Sequence, residues 1–238
     1  MDKLVVMSDF QARYNDKRTE EVVRQFLFDF QPDTIIANGD LIDVESLSTK
    51  FKSPLVRRAS LLKDLDEGKG ILKRMRLVCP QAKIQLTEGN HEERLERYLL
   101  TNAPELEGLS SLTIRSLLDL DEIGVEYFGP YGKGIDWHSV EVYHGMFVSE
   151  HSAYTARKEF LASLTSGVSG HTQRLGQFYF TDKTGKSHAW LEGGCMCNLS
   201  PSSAPPSYRG PRQNNWQQGF VVGYFDSGQW TLYTVPVV

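Results

Sequence analysis

No apolar run in the chain approaches the ~18 residues that a membrane-spanning helix needs, which excludes that class of membrane protein. The opening stretch, MDKLVVMSDF, turns polar too soon for a secretory hydrophobic region, so the expectation is a soluble, cytoplasmic protein. Cysteine is scarce: Cys79, Cys195 and Cys197 are three in number, and the Cys-Met-Cys spacing lacks the two-residue gap of a redox or zinc motif. No disulfide framework is expected, and the thiols read as reduced packing residues. Excess positive charge is also missing. A formal net charge of -4 excludes a protein that coats nucleic acid by bulk electrostatics, so a polyanionic substrate has to be met by a local groove. No internal repeat is found.

What is present is ample apolar material. With 238 residues, 40% of them hydrophobic, the chain can bury a sizeable core. Its first half alternates strands and helices. Lys3–Met7 is a β-branched run, Val22, Val23, Phe26, Leu27 and Phe30 give Thr19–Phe30 helical spacing, and Thr34–Ala37 reads as a second buried strand. Leu55–Val78 predicts a long helix interrupted near Gly68 and Gly70. Its charges, Arg57, Arg58, Lys63, Lys69, Lys73, Arg74 and Arg76 among Asp64, Asp66 and Glu67, read as a solvated face. Ala82–Leu86 is a third strand, followed by helical stretches over His91–Leu100 and Leu109–Leu118.

From Gly124 onward strands dominate, at Ser139–Tyr143, Gly167–Ser169, Gln177–Thr181, His188–Leu191, Gly219–Phe225 and Gln229–Val235, with one helix over Ala153–Leu164. An α/β half followed by a strand-rich half predicts two sheets packed face to face with helices outside, because each sheet must bury a face. Ser200–Gln218, rich in Pro, Ser, Asn and Gly, reads as a long loop on the substrate side.

Polar residues collect at the strand ends. Asp9 and Gln11 follow the first strand, Asp40 and Asp43 the second, Asn90 and His91 the third. His144 follows Ser139–Tyr143, and His171 and Gln173 follow Gly167–Ser169. The carboxyl ends of parallel strands line one crevice, so these separated residues can converge. One Gly-Asp or one His is weak evidence, since a turn or a satisfied histidine is the commoner cause. Five successive strand ends, each bearing a metal-capable side chain, are a stronger pattern.

The ordered motifs SDFQ, GDLID, GNHE, YHG and GHTQ resemble the calcineurin-like metallophosphoesterase superfamily, over Asp9 to Gln173. GNHEER together with NWQQGF at Asn215–Phe220 is similar to phage-encoded members, which would make the expected cytoplasm that of the host. The resemblance implies one domain over residues 1–238, folded as a four-layer αββα sandwich of two mixed β-sheets flanked by helices. It implies a site for two divalent metal ions. Asp40 would bridge them, Asn90, His144 and His171 would complete one half, and Asp9, Gln11 and Gln173 the other. His91, oriented by Asp43, would stand outside the metals as the proton donor to the leaving group, a task for which its ordinary pKa is suited.

The chain departs from the family pattern at two positions. Gln11 and Gln173 stand where most members carry His, and both fall in the same half of the site. An amide oxygen is a harder, weaker donor than imidazole, so this oxygen-only half is expected to bind its ion less tightly and to favour Mn²⁺ or Mg²⁺ over Zn²⁺; for the two ions together Mn²⁺ comes first, with Mg²⁺, Zn²⁺, Fe or Ni as alternatives.

The implied activity is metal-dependent phosphate-ester hydrolysis. A nucleic acid or nucleotide-derived phosphodiester is the leading substrate. A phosphomonoesterase or protein phosphatase is the first alternative, and a catalytically weak phosphate- or protein-binding module the second. Arg13, Arg94 and Arg174, close behind three motifs, are candidates for flanking a substrate phosphate, against the plain reading of surface charge. Tyr14, Tyr208 and Trp216 are candidates for stacking a base, and His151 for a further contact. Oligomeric state is not legible.

Overall fold

The computed structural model describes residues 1–48, 60–200 and 215–238. Arg57, Arg58, Tyr208 and most of the loop expected over Ser200–Gln218 therefore lie outside the described residues.

Among the described residues, eleven strands and six α-helices are formed. The strands are β1 (Asp2–Met7), β2 (Thr34–Asn38), β3 (Lys83–Thr87), β4 (Val125–Phe128), β5 (Ile135–Trp137), β6 (Val140–Val142), β7 (Ser166–Ser169), β8 (Leu175–Thr181), β9 (Ser187–Gly193), β10 (Gly219–Asp226) and β11 (Gln229–Pro236). The helices are α1 (Lys17–Phe30), α2 (Leu61–Val78), α3 (Glu93–Asn102), α4 (Ile114–Leu117), α5 (Leu120–Ile123) and α6 (Tyr154–Ser163).

One sheet has the order β11-β10-β1-β2-β3-β4, the other β5-β6-β7-β9-β8. Both are mixed. β1 through β4 run parallel while β10 pairs antiparallel with β1, and β6, β7 and β9 run parallel while β5 and β8 pair antiparallel at the edges.

Alternation along the strands builds the layers. From β1, Leu4 and Val6 face the second sheet and pack with Ile36, Val140, Val142, Val168 and Leu191. Val5 and Met7 face the opposite way, onto Val23 and Leu27 of α1 and Leu72 and Met75 of α2. On the outer side of the second sheet, Tyr143 and Trp190 pack on Ala156 and Phe160 of α6. The result is the expected four layers, helix, sheet, sheet, helix.

Local signals explain the helix ends. Asp16 caps α1, its carboxylate accepting from Thr19 N at 2.9 Å, and Gln31 closes it in the left-handed region. α2 differs from expectation in running unbroken through both of its glycines. Gly68 lies against the core, where an added Cβ would come within 2.6 Å of Ile42 Cγ2, so tertiary packing outweighs glycine's poor helix propensity. Leu109–Leu118 forms two short turns rather than one helix, and β4 and β5 were not anticipated. Both strands are short and take their place from pairing, β4 with β3 and β5 with β6.

Candidate metal centre

The parallel strands of the two sheets end on the same edge. Asp9 and Gln11 leave β1, Asp40 leaves β2, Asn90 and His91 leave β3, His144 leaves β6, and His171 and Gln173 leave β7. Asp9, Gln11, Asp40, His171 and Gln173 all adopt positive φ, between 50° and 67°. Left-handed backbone at five non-glycine positions costs about 1–3 kcal/mol each, and such strain gathers where side chains must be aimed.

Asp40 is the hub. His144 Nε2 lies 3.3 Å from its Oδ1, the backbone N–H of His91 donates to Oδ1 at 3.0 Å, and Gln11 Nε2 donates to Oδ2 at 2.9 Å. Ligand atoms of Asp40, His144 and His171 all lie within 4.8 Å of one another. Asp9 is fully buried and accepts from the backbone N–H of His171 at 2.9 Å and from the Ser8 hydroxyl. His144 Nδ1 sits 2.8 Å from the Asn38 carbonyl, which can only accept, so the ring proton is held there and Nε2 faces Asp40. Gly39, at φ +74°, brings the chain so close that an added Cβ would lie 2.5 Å from His144 Nδ1.

The residues fit divalent cations on two counts. Asp9 Oδ1, Gln11 Oε1, Asn90 Oδ1 and His144 Nε2 are buried without a hydrogen-bond partner, an arrangement too costly to persist in a dry core. The charges also need a counter-ion. Burial pushes Asp9 up to about 6 with the Asp40 charge adding to it. Against the opposing effect of burial, Asp40 and Asp9 push His144 up to about 10, while burial and His144 push His171 down to about 4. Asp40 itself is held far below the usual range by the imidazoles of His144 and His91, despite its burial. A bound cation would supply the positive charge that a proton on His144 otherwise provides.

Beside this hub, His91 Nδ1 lies 2.7 Å from Asp43 Oδ1, with both side chains buried. Although burial opposes it, the carboxylates of Asp40 and Asp43 raise the His91 pKa. Arg94 Nη2 lies 2.8 Å from His91 Nε2, and its Nη1 donates to the Asp43 carbonyl at 2.7 Å. A guanidinium only donates, so Nε2 accepts in this arrangement and Nδ1–H points to Asp43.

The other two arginines are engaged by the protein. Arg13 Nε is 3.0 Å from the buried Asp64, and Arg174 Nη1 donates to the Ser149 carbonyl at 2.8 Å. Tyr14 donates to Glu45 at 2.9 Å, Trp216 is half-buried, and His151 is exposed with its ring 5.7 Å from that of Tyr154. All three cysteines are free and buried, with Cys197 Sγ 4.0 Å from Gln173 Oε1.

Sequence reasoning missed Glu92, the last residue of GNHE. Completely buried, it accepts from the N–H groups of Asp40, Gly89 and Ile42, each at 2.9 Å, and so ties the loop after β2 to the loop after β3. Burial pushes its pKa up to about 7, with the Asp40 charge adding. A carboxylate inside a catalytic-looking motif was the available signal.

A family model described as calcineurin-like phosphoesterase matches residues 3–186. The chain belongs to this family. It is accordingly a metal-dependent phosphoric ester hydrolase. The Gene 54 protein of Mycobacterium phage L5 is 31% identical over 241 residues, covering 99% of this chain and 94% of that protein. The Gene 54 protein of Mycobacterium phage D29 is 30% identical, with the same shares covered. These relatives make the chain a phage-type member of the calcineurin-like phosphoesterases. Among solved structures, a Vps29 single mutant from Entamoeba histolytica aligns at 12% identity and TM-score 0.47, covering 99% of each chain. Yfce, a phosphoesterase from E. coli, aligns at 13% identity and TM-score 0.38, covering 93% of this chain and 91% of that one.

Proposed function

We propose that this calcineurin-like phosphoesterase is a two-metal phosphodiesterase acting, in the host cytoplasm, on a nucleic acid or nucleotide-derived diester. The observation that carries the metal-dependent reading is the Asp40 hub, with ligand atoms of Asp40, His144 and His171 within 4.8 Å, and the buried, unpartnered Asp9 Oδ1 and Gln11 Oε1 support a second ion. Asp40, Asn90, His144 and His171 would hold one ion, and Asp9, Gln11, Asp40 and Gln173 a second, Mn²⁺ before the others. When bound, the ions polarise the phosphoryl oxygens and provide a nucleophile from water at neutral pH.

The protein's own part is proton management. Asp43, 2.7 Å from His91 Nδ1, fixes the ring and favours its charged form, leaving Nε2 to protonate the departing oxygen once Arg94 has withdrawn from it. Charge supply favours a diester. A phosphomonoester dianion demands more cationic partners than a diester monoanion, yet Arg13 is paired with Asp64 and Arg174 is bonded to Ser149. Arg174, bonded only to neutral carbonyls, keeps its charge and a buried Nε without a hydrogen-bond partner, so the cationic supply beside Gln173 suits a monoanion, while Arg94 would have to give up its contact with His91.

One observation favours the binding-module reading. Gln11 donates its amide N–H to Asp40 Oδ2, which offsets part of the negative charge in this half of the site without an ion. Hydrolysis of bis-p-nitrophenyl phosphate and p-nitrophenyl phosphate with added Mn²⁺, with Asp40→Asn as control, decides between these readings. Faster turnover of the diester, abolished in the variant, is the expected result. Faster monoester turnover transfers the assignment to a phosphomonoesterase, and no turnover of either ester transfers it to the binding module.

A further inference from the structure

Directly after His144 the chain exposes three consecutive apolar side chains, Met146, Phe147 and Val148, at 54%, 38% and 60% of their surface. An exposed apolar run of this kind is unfavourable in water unless something covers it in use. The backbone beneath it is held from several sides. Glu159, fully buried on α6, accepts from Met146 N at 2.8 Å and Phe147 N at 3.0 Å, and also from the Tyr143 hydroxyl. Tyr131 donates to the Gly145 carbonyl at 2.8 Å, and Arg174 to the Ser149 carbonyl at 2.8 Å. The buried carboxylate and guanidinium thus fix a loop whose apolar side chains remain uncovered.

This platform is continuous with the metal centre. The Tyr131 ring meets the His144 ring edge-on with centroids 6.1 Å apart, and an added Cβ on Gly145 would touch His171 Cβ at 3.4 Å. Met146 reaches across to the Tyr131 loop, its sulfur 3.7 Å from where a Cβ on Gly132 would stand. Tyr131 and the loop of Met146 and Phe147 thus border the metal centre on the side of His144 and His171.

We infer that Tyr131, Met146 and Phe147 form a nucleobase subsite, on which a base attached to the scissile phosphate stacks. The inference rests on the phosphodiesterase reading and names its substrate class. Stacking on a pre-fixed apolar platform supplies affinity without phosphate neutralisation, as a chain with net charge -4 and engaged arginines requires. It is also tolerant of base identity, because every base presents a π-face. Few phosphate contacts mean a shallow dependence of affinity on salt.

The test is made on Mn²⁺-loaded protein in two arms. Calorimetric titration compares thymidine 5′-monophosphate with inorganic phosphate. The nucleotide is expected to bind about tenfold tighter, within the range of one base stacked on an aromatic side chain. Phe147→Ala should abolish the difference and Phe147→Trp should preserve it, while Tyr179→Ala, at another exposed aromatic on β8, should leave it intact.

The second arm compares the p-nitrophenyl ester of thymidine 5′-phosphate with ethyl p-nitrophenyl phosphate, which share a leaving group. The kcat/KM ratio between them should collapse in Phe147→Ala. Equal affinity for nucleotide and phosphate in the wild type, or a difference untouched by Phe147→Ala, overturns the subsite. If neither diester is hydrolysed but the nucleotide preference exists and is lost in Phe147→Ala, the phosphodiesterase reading fails and the base subsite stands.

Discussion

Glu92 offers the sharpest test of how the site is held. Its two oxygens accept three backbone N–H groups, those of Asp40, Gly89 and Ile42, each at 2.9 Å in a fully buried setting. Glu92→Ala leaves all three donors without a partner, and a buried unsatisfied donor costs about 1–3 kcal/mol, so the loss is about 3–9 kcal/mol. Set against a total stability of about 5–15 kcal/mol, that brings the fold to its limit. Glu92→Gln keeps the shape, retains an acceptor oxygen for two donors, and turns its NH₂ toward the third. One orphaned donor costs about 1–3 kcal/mol. For a chain of this size that is a fall in Tm of roughly 2–12 °C. Urea unfolding of wild type, Glu92→Gln and Glu92→Ala, each with the metal removed by chelation, measures the series. Equal losses in Gln and Ala, or a loss below about 1 kcal/mol in Ala, would refute the clamp.

Three further outcomes are expected. Gly39→Ala forces a Cβ to 2.5 Å from His144 Nδ1 at φ +74°, so it should cost about 2–5 kcal/mol from overpacking and left-handed backbone, and should weaken Mn²⁺ binding measured by calorimetry. Mn²⁺ at a hundred times its Kd should stabilise the wild type by about 2.7 kcal/mol, a rise in Tm of roughly 5–11 °C, and His171→Ala should lose most of that rise. Asp182 is held far below the usual carboxylate range by hydrogen bonds from Thr184 and His188. Its contribution is therefore full above the ordinary aspartate pKa of about 3.9 and is lost as pH falls toward the lower folded value, so Asp182→Asn should flatten the decline in Tm between neutral and acid pH.

The strands that carry the site were legible because each is a short β-branched run followed at once by polar residues too costly to place there without a purpose. Lys3–Met7 and Thr34–Ala37 differ from the observed β1 and β2 by one residue. The break expected in α2 was misread because glycine propensity is local, whereas Gly68 is kept helical by its contact with Ile42. β4 and β5 lack a strong pattern of their own and exist because β3 and β6 offer them partners. Glu159 left no mark as a support, and Glu92 only its place in GNHE, because both work largely through backbone N–H groups, which nearly every residue carries.

The sequence by itself determined the chemical inventory: the order of the motifs, the carboxylate and histidine types at successive strand ends, and the two glutamines in one half of the site. Those follow from residue identity and period-two alternation, both local properties. Only the tertiary structure decided that β10 and β11 return to pair beside β1, that His144 from the second sheet lies 3.3 Å from Asp40 of the first, and that Arg13 and Arg174 are engaged by the protein. Side chains more than a hundred residues apart in the chain come into contact only when the two sheets bury Leu4, Val6 and Ile36 against Val142, Val168 and Leu191, and that packing is a property of the whole core.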